Sequence, residues 1–384
     1  MKKRKRLRLP ENGHPSSSSY CSNKEEVDEM DPQLWANLPP DLYPRILAHL
    51  PIRTLFRFRS VCKIWNTLPL NPTFIRLSAQ IPTLKDSWLV MFSDNYYRTV
   101  SVFLPDQNKW FDFPISFLPS ELYYVAGAGG LLCFHLTEAN GASSMCVCNP
   151  LIKQWKKLPP LLCDFYGGLV GMVADSLSYQ IVVRTKPARS DRFDFSNLKT
   201  EIYDSRTSCW RISGIPEDDF TSGQAVSNGV LYFLTWEARN GVYAYNMDQG
   251  LWETISAPRR HRFISPCLVE CRGRLFMVGG FAKQQYKTLG IRVWELQQDR
   301  SEWELTDSMP SLLFDEFLTK SGSMYFICVG HKQQIYLINR GRPPRILRFD
   351  PETCLWQLVA TDAPDVLHEL FLLVSFTPTL NCLV

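Results

Sequence analysis

The chain has 384 residues, of which 45% are hydrophobic and 21% charged, and its formal net charge at pH 7 is +4. These proportions are ordinary for a soluble globular protein, and the length allows one large domain plus a small one. Much of the positive charge lies in the first eight residues, at Lys2, Lys3, Arg4, Lys5, Arg6 and Arg8. The remainder is about neutral, so the bulk charge argues against a nucleic-acid binder.

The twelve cysteines contain no CxxC pair, and the closest two are Cys146 and Cys148. Scattered cysteines of this kind are typical of reduced, buried thiols in an intracellular protein. The N-terminus has charge but no apolar segment of the kind a secretory signal needs. The best candidate for a membrane segment, LFLLVSF, has strand length, whereas a membrane helix needs roughly 18–20 apolar residues. We therefore expect no membrane partner.

Residues 1–30 combine a basic block, a serine run and an acidic patch, with little that could be buried. This composition predicts a disordered tail. The stretch KKRKRLR fits either a nuclear-import signal or a solvated basic tail. The expected location is the nucleus, the cytoplasm or both.

Residues 33–78 have helical periodicity. Apolar residues recur three and four positions apart, at Leu42, Ile46, Leu47 and Leu50 and then at Ile52, Leu55, Phe58, Cys62 and Trp65. Pro51 suits the first turn of a second helix, and Asn71-Pro72 breaks the pattern. Two or three short helices make a poor core alone, so we expect their apolar face to meet a partner.

After Pro82 the pattern changes to short strands with frequent turns. A strand–turn–tryptophan motif recurs on average about every 49 residues. Its tryptophans are Trp110, Trp155, Trp210, Trp252, Trp303 and Trp356. Repeats of 40–50 residues with several strands in each unit are typical of β-propellers.

Each copy of this motif predicts a β-hairpin with the tryptophan just after the turn. An apolar residue stands seven positions before each tryptophan, at Phe103, Cys148, Tyr203, Tyr245, Leu296 and Phe349. Between them lie residues that favour turns because their side chains bond the nearby backbone: Asp106, Asn149, Asp204, Asn246, Asp299 and Asp350. A large ring in each unit would fill the wedge between adjacent blades.

The predicted fold is a small all-α segment followed by an all-β propeller of four-stranded blades over residues 80–380. Six hairpins are visible, and the long intervals 158–202 and 303–345 leave room for a seventh, degenerate blade. The first unit lacks its innermost strand, and no later unit uses residues 370–376. We expect this last strand to complete the first blade and close the ring, which would hide the edge strands.

The helical segment resembles an F-box. The matching residues are Leu38-Pro39, Asp41-Leu42, Ile46-Leu47, Leu50-Pro51, Leu55, Arg59, Val61-Cys62-Lys63, Trp65, Pro72 and Phe74-Ile75. Pro44 departs from the pattern, but it falls in the first turn if Asp41 caps the helix. The strand region resembles a kelch-type propeller, although only Gly279-Gly280 reproduces cleanly the double glycine that follows the second strand of a kelch unit. Together the two segments resemble the plant F-box/kelch-repeat family.

The resemblance implies that the F-box binds a Skp-type adaptor, and through it a cullin–RING ubiquitin ligase, while the propeller binds a protein substrate. The implied adaptor-binding residues are Leu38, Pro39, Leu42, Ile46, Leu47, Leu50, Pro51, Leu55, Val61, Cys62 and Trp65. We found no catalytic, cofactor-binding or metal-binding motif, so we expect a non-catalytic subunit without cofactors. The alternatives are a propeller-based small-molecule sensor or enzyme, and a scaffold whose partner is not degraded.

The loops that join blades, and those between the middle strands of each blade, should emerge on one face. Arginines interleaved with aromatic residues are typical of interface hot spots. The predicted substrate-binding residues of this face are Tyr166, Arg189, Arg192, Trp236, Arg239, Arg259, Arg260, His261, Arg262, Phe263 and Tyr286. Such a face would prefer acidic or phosphorylated segments.

Overall fold

The structure is a computed structural model that describes residues 38–81, 87–93, 99–119, 122–137, 143–175, 177–186, 198–214, 221–235, 241–258, 262–282, 288–300, 302–318, 325–339, 344–359 and 370–380. The predicted disordered tail, residues 1–30, lies outside this set. The chain divides into two compact units, Met1–Tyr43 and Pro44–Val384. Within the described ranges, no helix has both the length and the apolar character needed to cross a membrane.

Short helices precede the sheets. They are α1 (Leu42–Ala48), α2 (Ile52–Phe58), α3 (Lys63–Thr67) and α4 (Pro72–Gln80), with a 3-10 turn (Leu68–Leu70) before α4. Pro44 is the third residue of α1, so its missing N–H costs no helical hydrogen bond. Asn71 starts α4, because its side-chain oxygen accepts hydrogen bonds from the N–H groups of Thr73 (2.8 Å) and Phe74 (3.2 Å).

The second predicted helix folds as two helices. After α2 ends at Phe58, the hydroxyl of Ser60 donates a hydrogen bond to the carbonyl of Arg57 (2.9 Å), and the chain turns. The Cys62 thiol then accepts a hydrogen bond from the Trp65 N–H (3.5 Å) and caps α3. Small polar side chains can bond the backbone locally in this way, and they thereby compete with a continuous helix. The apolar stripe survives the break, since the rings of Phe58 and Trp65 lie 5.6 Å apart.

In the described part of the chain, 24 strands form six four-stranded antiparallel sheets, which are the blades. Blade 1 contains β1 (Trp88–Ser93), β2 (Thr99–Leu104) and β3 (Lys109–Pro114), and blade 2 contains β4 (Leu122–Ala128), β5 (Leu131–Thr137), β6 (Ser143–Asn149) and β7 (Gln154–Lys157). Blade 3 contains β8 (Asp164–Ala174), β9 (Tyr179–Lys186), β10 (Lys199–Asp204) and β11 (Cys209–Ser213), and blade 4 contains β12 (Thr221–Ser227), β13 (Val230–Thr235), β14 (Val242–Asn246) and β15 (Leu251–Ile255). Blade 5 contains β16 (Arg262–Cys271), β17 (Arg274–Ala282), β18 (Thr288–Leu296) and β19 (Trp303–Ser308), and blade 6 contains β20 (Phe326–His331), β21 (Gln334–Asn339), β22 (Arg345–Asp350) and β23 (Leu355–Val359). The fourth strand of blade 1 is β24 (Leu370–Phe376).

The propeller therefore has six blades, and the described residues of the two long intervals form no seventh. The interval 158–202 contains the first two strands of blade 3 and the start of the third. The interval 303–345 contains the last strand of blade 5, a helix α5 (Ser311–Phe317) and the first two strands of blade 6. The predicted choice between six and seven blades is settled by this assignment of strands to sheets.

The predicted hairpins are confirmed by the strand register. Each repeat tryptophan lies directly opposite the apolar residue seven positions earlier: Phe103↔Trp110, Cys148↔Trp155, Tyr203↔Trp210, Tyr245↔Trp252, Leu296↔Trp303 and Phe349↔Trp356. Where both residues are aromatic the ring centroids are close, for example 4.3 Å for Phe349 and Trp356. Directly opposed side chains are the pairs that stabilise antiparallel strands.

The hairpin turns depend on a residue with left-handed backbone. In five of the six hairpins this residue stands two positions before the tryptophan: Asn108, Lys153, Ser208, Gly250 and Cys354. In four hairpins the acidic or amide residue at the start of the turn accepts a hydrogen bond from the N–H two residues on: Asn149 (3.1 Å), Asp204 (2.9 Å), Asn246 (3.1 Å) and Asp350 (3.0 Å). These side chains, which the sequence marked as turn formers, thus have a structural role.

The tryptophans also connect adjacent blades. In four of them the indole N–H donates a hydrogen bond to the end of the outermost strand of the preceding blade, or to the residues just after it: Trp210 to the Pro159 carbonyl (2.9 Å), Trp252 to Ser213 Oγ (3.2 Å), Trp303 to the Ser256 carbonyl (2.8 Å) and Trp356 to Asp307 Oδ2 (2.8 Å). A buried tryptophan needs such a partner for its N–H. The repeat residue therefore both fills its own hairpin and holds the neighbouring blade.

Replacement of Trp210 by alanine should lower the free energy of unfolding by about 3 kcal/mol, because it removes a buried ring and a bond between blades 2 and 3. Trp155→Ala is a matched control at the same repeat position, since Trp155 is 40% exposed whereas Trp210 is 8% exposed. Denaturant melts of both variants would measure the difference. Equal losses of stability would contradict the assigned role of the buried indole.

The ring is closed by β24, as predicted. It pairs antiparallel with β1, with Trp88 opposite Phe376 and Val90 opposite Val374, so residues from the two ends of the propeller share one sheet. An ion pair also joins blade 6 to blade 1: Lys332 lies in the turn between β20 and β21, and its partner Asp106 lies in the turn between β2 and β3. Closure leaves β1 with partners along both edges.

A buried histidine lies at the same junction. His331 is 3% exposed, and its Nδ1 lies 3.3 Å from Ser87 Oγ and 3.5 Å from Ser375 Oγ. Burial, with a smaller contribution from Lys332 and opposition from Asp106, lowers the pKa of His331 to about 4. The folded protein therefore holds this imidazole neutral well below the pH at which it would be charged in water.

The pKa of His331 makes stability depend on pH. In the unfolded chain the group recovers a pKa near 6.5, so between pH 6.5 and 4 the unfolded state binds a proton that the folded state does not. The contribution of His331 to the free energy of unfolding is therefore complete above about pH 6.5 and is lost as the pH falls. With a folded pKa of about 4, the loss at pH 5 is about 2 kcal/mol. His331→Asn should flatten the fall in melting temperature between pH 7.5 and 5, as measured by thermal melts of both proteins across this range. Parallel curves for wild type and His331→Asn would contradict this assignment.

Candidate partner-binding site

The helical segment is held together by buried leucines. Leu47 and Leu55 are each 4% exposed and Phe74 is 1% exposed, and they belong to an apolar cluster that also contains Trp88 and Phe92 of blade 1. Two of the predicted adaptor-binding residues, Leu47 and Leu55, are therefore interior side chains. They fix the helices in place and are not available to touch a partner.

Other apolar side chains of the same segment point to solvent. Ile46 is 38% exposed, Val61 62%, Ile64 74% and Leu70 50%. A single exposed apolar residue is ordinary, but the helical segment has four of them within 25 residues, and each leaves apolar area that a partner could cover. We call Ile46, Val61, Ile64 and Leu70 the exposed apolar set.

The sequence-predicted adaptor residues divide accordingly. Leu38, Leu42, Leu50, Pro51 and Trp65 are half-buried, and Pro39, Ile46, Val61 and Cys62 are exposed. Ile64 and Leu70 were missed. The sequence could have indicated Ile64. It is apolar, but it does not belong to the series of apolar residues, three and four positions apart, that runs from Ile52 to Trp65.

Arg53 ties α2 to the first blade. Its guanidinium donates a hydrogen bond to Gln107 Oε1 (3.0 Å) in the turn between β2 and β3, and it lies over the ring of Phe111 with 5.1 Å to the centroid. Arg59 plays a similar part between helices, since its Nε donates to Asn66 Oδ1 (3.1 Å). The arginines on the polar side of these helices thus include anchoring residues as well as solvated ones.

The loop residues predicted to bind a substrate lie largely beyond what the structure describes. Those outside the described residues are Arg189, Arg192, Trp236, Arg239, Arg259, Arg260, His261 and Tyr286. The backbone of Tyr166 lies in β8 and that of Arg262 begins β16. The connections that carry these residues follow β9, β13, β15 and β17, and the antiparallel order of each blade puts these strand ends at one end of the sheets.

Phe263 is not a surface residue, contrary to the sequence-based prediction. It is 3% exposed, and its ring packs edge-on against Trp294 of the same blade with 5.1 Å between centroids. It is the second residue of β16, opposite Phe281, and its side chain faces the core.

The cysteines and acids of the described residues form no metal-binding cluster. No set of three or more His, Cys, Asp or Glu side chains there could hold a metal ion. Cys146 and Cys148 are free and buried, as expected, and burial raises the pKa of Cys146 to about 12. A thiol with such a pKa stays protonated near neutral pH and is a poor nucleophile.

The fold and the helical segment define an F-box protein with a β-propeller. Residues 35–77 match the F-box domain, and residues 109–328 match the family described as F-box protein At3g26010-like, beta-propeller. The second match covers more than half of the chain, so the chain belongs to this family.

Similar proteins are plant F-box proteins. The chain is 27% identical over 343 residues to Protein UNUSUAL FLORAL ORGANS of Arabidopsis thaliana, which covers 83% of this chain and 77% of the relative. It is 26% identical over 376 residues to F-box/kelch-repeat protein At3g61590 of the same plant, with 89% of each chain covered. A shorter stretch of 141 residues is 35% identical to SKP1-interacting partner 15 of Arabidopsis thaliana and covers 32% of this chain and 38% of that one.

Proposed function

We propose that this protein is the substrate-recognition subunit of a Skp–cullin–F-box ubiquitin ligase. The helical segment docks a Skp-type adaptor, the adaptor connects it to a cullin–RING ligase, and the propeller holds the protein substrate. In this role the chain itself performs no covalent chemistry. The observation that carries the proposal is the exposed apolar set, Ile46, Val61, Ile64 and Leu70, which lies on a segment that matches the F-box.

The buried and exposed residues of the segment have different parts in this function. Leu47 and Leu55 hold the helices against one another and near blade 1, so the adaptor meets a preformed surface. A preformed surface loses less conformational entropy on binding than a flexible one. The name of one relative, SKP1-interacting partner 15, supports an adaptor of the Skp type.

Val61→Asp combined with Ile64→Asp should weaken adaptor binding by about tenfold or more, because each change places a charge on apolar surface that the adaptor would cover. The measurement is a pull-down or calorimetric titration of the full chain with a Skp adaptor. Leu177→Asp is the matched control, since Leu177 is 83% exposed but lies on the propeller. The proposal fails if the wild-type chain recovers no adaptor under conditions where a known F-box protein does.

Leu47→Asp should also abolish adaptor binding, but by a different route. It buries a charge in the helical cluster, so the melting temperature of the helical segment should fall together with binding. The exposed pair should leave the melting temperature unchanged. Comparison of the two variants therefore separates loss of contact from loss of structure.

We further propose that the substrate binds at the end of the propeller where the basic loops follow β9, β13, β15 and β17, and that it presents an acidic or phosphorylated segment. Charge reversal at Arg259, Arg260 and Arg262 should weaken substrate capture from cell extracts without lowering the melting temperature, since arginines bind carboxylate and phosphate through paired hydrogen bonds. Unchanged capture would refute the assignment of this face. Reversal of Arg206, which is mostly exposed and lies in a turn at the opposite end of blade 3, is the control.

A further inference from the structure

The innermost strands of the six blades surround a cavity on the propeller axis. It has a volume of about 750 Å³ and is lined by residues of β4, β8, β12, β16, β20 and β24, with His135 of β5 and Phe233 of β13. Most of its wall is apolar, as Met172, Leu268 and Leu373 illustrate. This size and lining are those of small-molecule sites rather than of a packed core.

Two polar groups on the wall lack partners. His135 Nε2 and Gln224 Oε1 are both buried, and neither makes a hydrogen bond to any described residue. His135 as a whole is only 9% exposed. A buried polar atom without a partner is destabilising, and such atoms concentrate where a ligand or an ordered water completes the site.

The two groups lie at neighbouring levels of their hairpins. His135 is four residues from Leu131, where β5 leaves the turn after β4, and Gln224 is three residues from Ser227, where β12 enters the turn before β13. They come from blades 2 and 4, with blade 3 between them. A molecule within the cavity can therefore approach both.

Aromatic rings flank the histidine. The imidazole of His135 stacks on Phe165 of the next blade with 4.4 Å between centroids, and Tyr123 lies 6.3 Å away. Burial lowers the pKa of His135, so its ring is neutral at pH 7 and can act as one donor and one acceptor. Flat walls of this kind favour a flat ring system over a branched aliphatic one.

The charges around the cavity argue against an ion. Among its described lining residues none is Lys or Arg, and the carboxylate is Glu270, which already accepts a hydrogen bond from the Gly273 N–H (2.7 Å). The thiols of Cys267 and Cys328 add only weak polarity. An anion would have no counter-charge here, and a desolvated cation would have a single acid that is already engaged.

We propose that the axial cavity binds a neutral, flat, largely apolar small molecule that donates a hydrogen bond to Gln224 Oε1 and makes a second hydrogen bond with His135 Nε2. This site is separate from the adaptor-docking helices and does not rest on the proposed ligase function. The ligand would complete the inner wall of the propeller beneath the face proposed to hold the substrate.

The test uses 2-naphthol as the probe and the purified full chain as the receptor. It has two fused apolar rings and one hydroxyl donor, so the proposal predicts saturable binding of one molecule per chain in a calorimetric or fluorescence titration. 2-Methoxynaphthalene has the rings but no donor and should bind roughly three- to tenfold more weakly, the effect of one lost hydrogen bond. The anion 2-naphthoate should not bind. Absence of saturable 2-naphthol binding, or tighter binding of 2-naphthoate, would overturn the proposal.

Variants locate the site. Gln224→Leu and His135→Phe each remove one polar partner at similar size, and each should reduce the affinity for 2-naphthol several-fold. Gln224→Leu should leave the affinity for 2-methoxynaphthalene nearly unchanged because that probe has no donor, whereas His135→Phe should weaken both probes because the oxygen of each can accept a hydrogen bond from Nε2. Gln180→Leu is the matched control, because Gln180 also has a buried, unpartnered Oε1 but is not on the cavity wall.

A filling variant gives an independent check. Val329 lines the cavity, and Val329→Trp should occupy the space and abolish binding of both 2-naphthol and 2-methoxynaphthalene. If this variant keeps the wild-type melting temperature and still binds 2-naphthol, the site is elsewhere and the proposal is wrong. If Val329→Trp unfolds, the other two variants decide: wild-type affinity for 2-naphthol in both Gln224→Leu and His135→Phe would show that the proposal is wrong.

Discussion

Pairing of β24 with β1 is the interaction on which the rest of the propeller depends. The strand that completes blade 1 lies about 280 residues further along the chain than its partner, so the first blade exists only when the last one has been placed. Bringing such distant segments together costs chain entropy, although that cost rises only slowly with loop length. In return, closure removes a free strand edge. It also places an innermost strand from each of the six blades around the axis, and these strands enclose the cavity.

The repeated residues act locally and also between blades. Each tryptophan packs on its cross-strand neighbour, and in blades 3 to 6 its indole N–H reaches the end of the outermost strand of the preceding blade. A wedge-shaped gap between two twisted sheets suits a large flat ring with one donor. Because the same solution recurs around the ring, these residues are structural, and recognition must come from positions that differ from blade to blade.

The helical segment likewise contains some residues that hold the structure together and others that remain free to contact a partner. Its buried residues, among them Leu47 and Leu55, pack in the cluster that includes Trp88, and Arg53 bonds the first hairpin of the propeller. The side chains that remain exposed, such as Val61 and Ile64, contribute little to holding the segment and are the ones that a partner can cover. A surface of this kind is stable without its partner only because other residues of the same helices are buried.

Much of the fold could be read from the sequence because it rests on short-range pattern. The seven-residue spacing between an apolar residue and a tryptophan specifies a hairpin register, and that register appears in all six blades. Periodicity also located the helices, but it could not show that Ser60 and Cys62 bond the backbone and divide one helix into two. It treated Leu47 and Val61 alike, since both are apolar residues of the segment with helical periodicity.

By itself, then, the sequence determined the class of fold, the number of hairpins and the strand that closes the ring, because these depend on spacing within a repeat. Tertiary structure alone decided which apolar side chains are hidden, since Leu47, Leu55 and Phe263 are buried by elements distant in the chain or on the far side of a strand. It also decided that His135 and Gln224, 89 residues apart, face one cavity, because that meeting requires three blades to be set around a common axis.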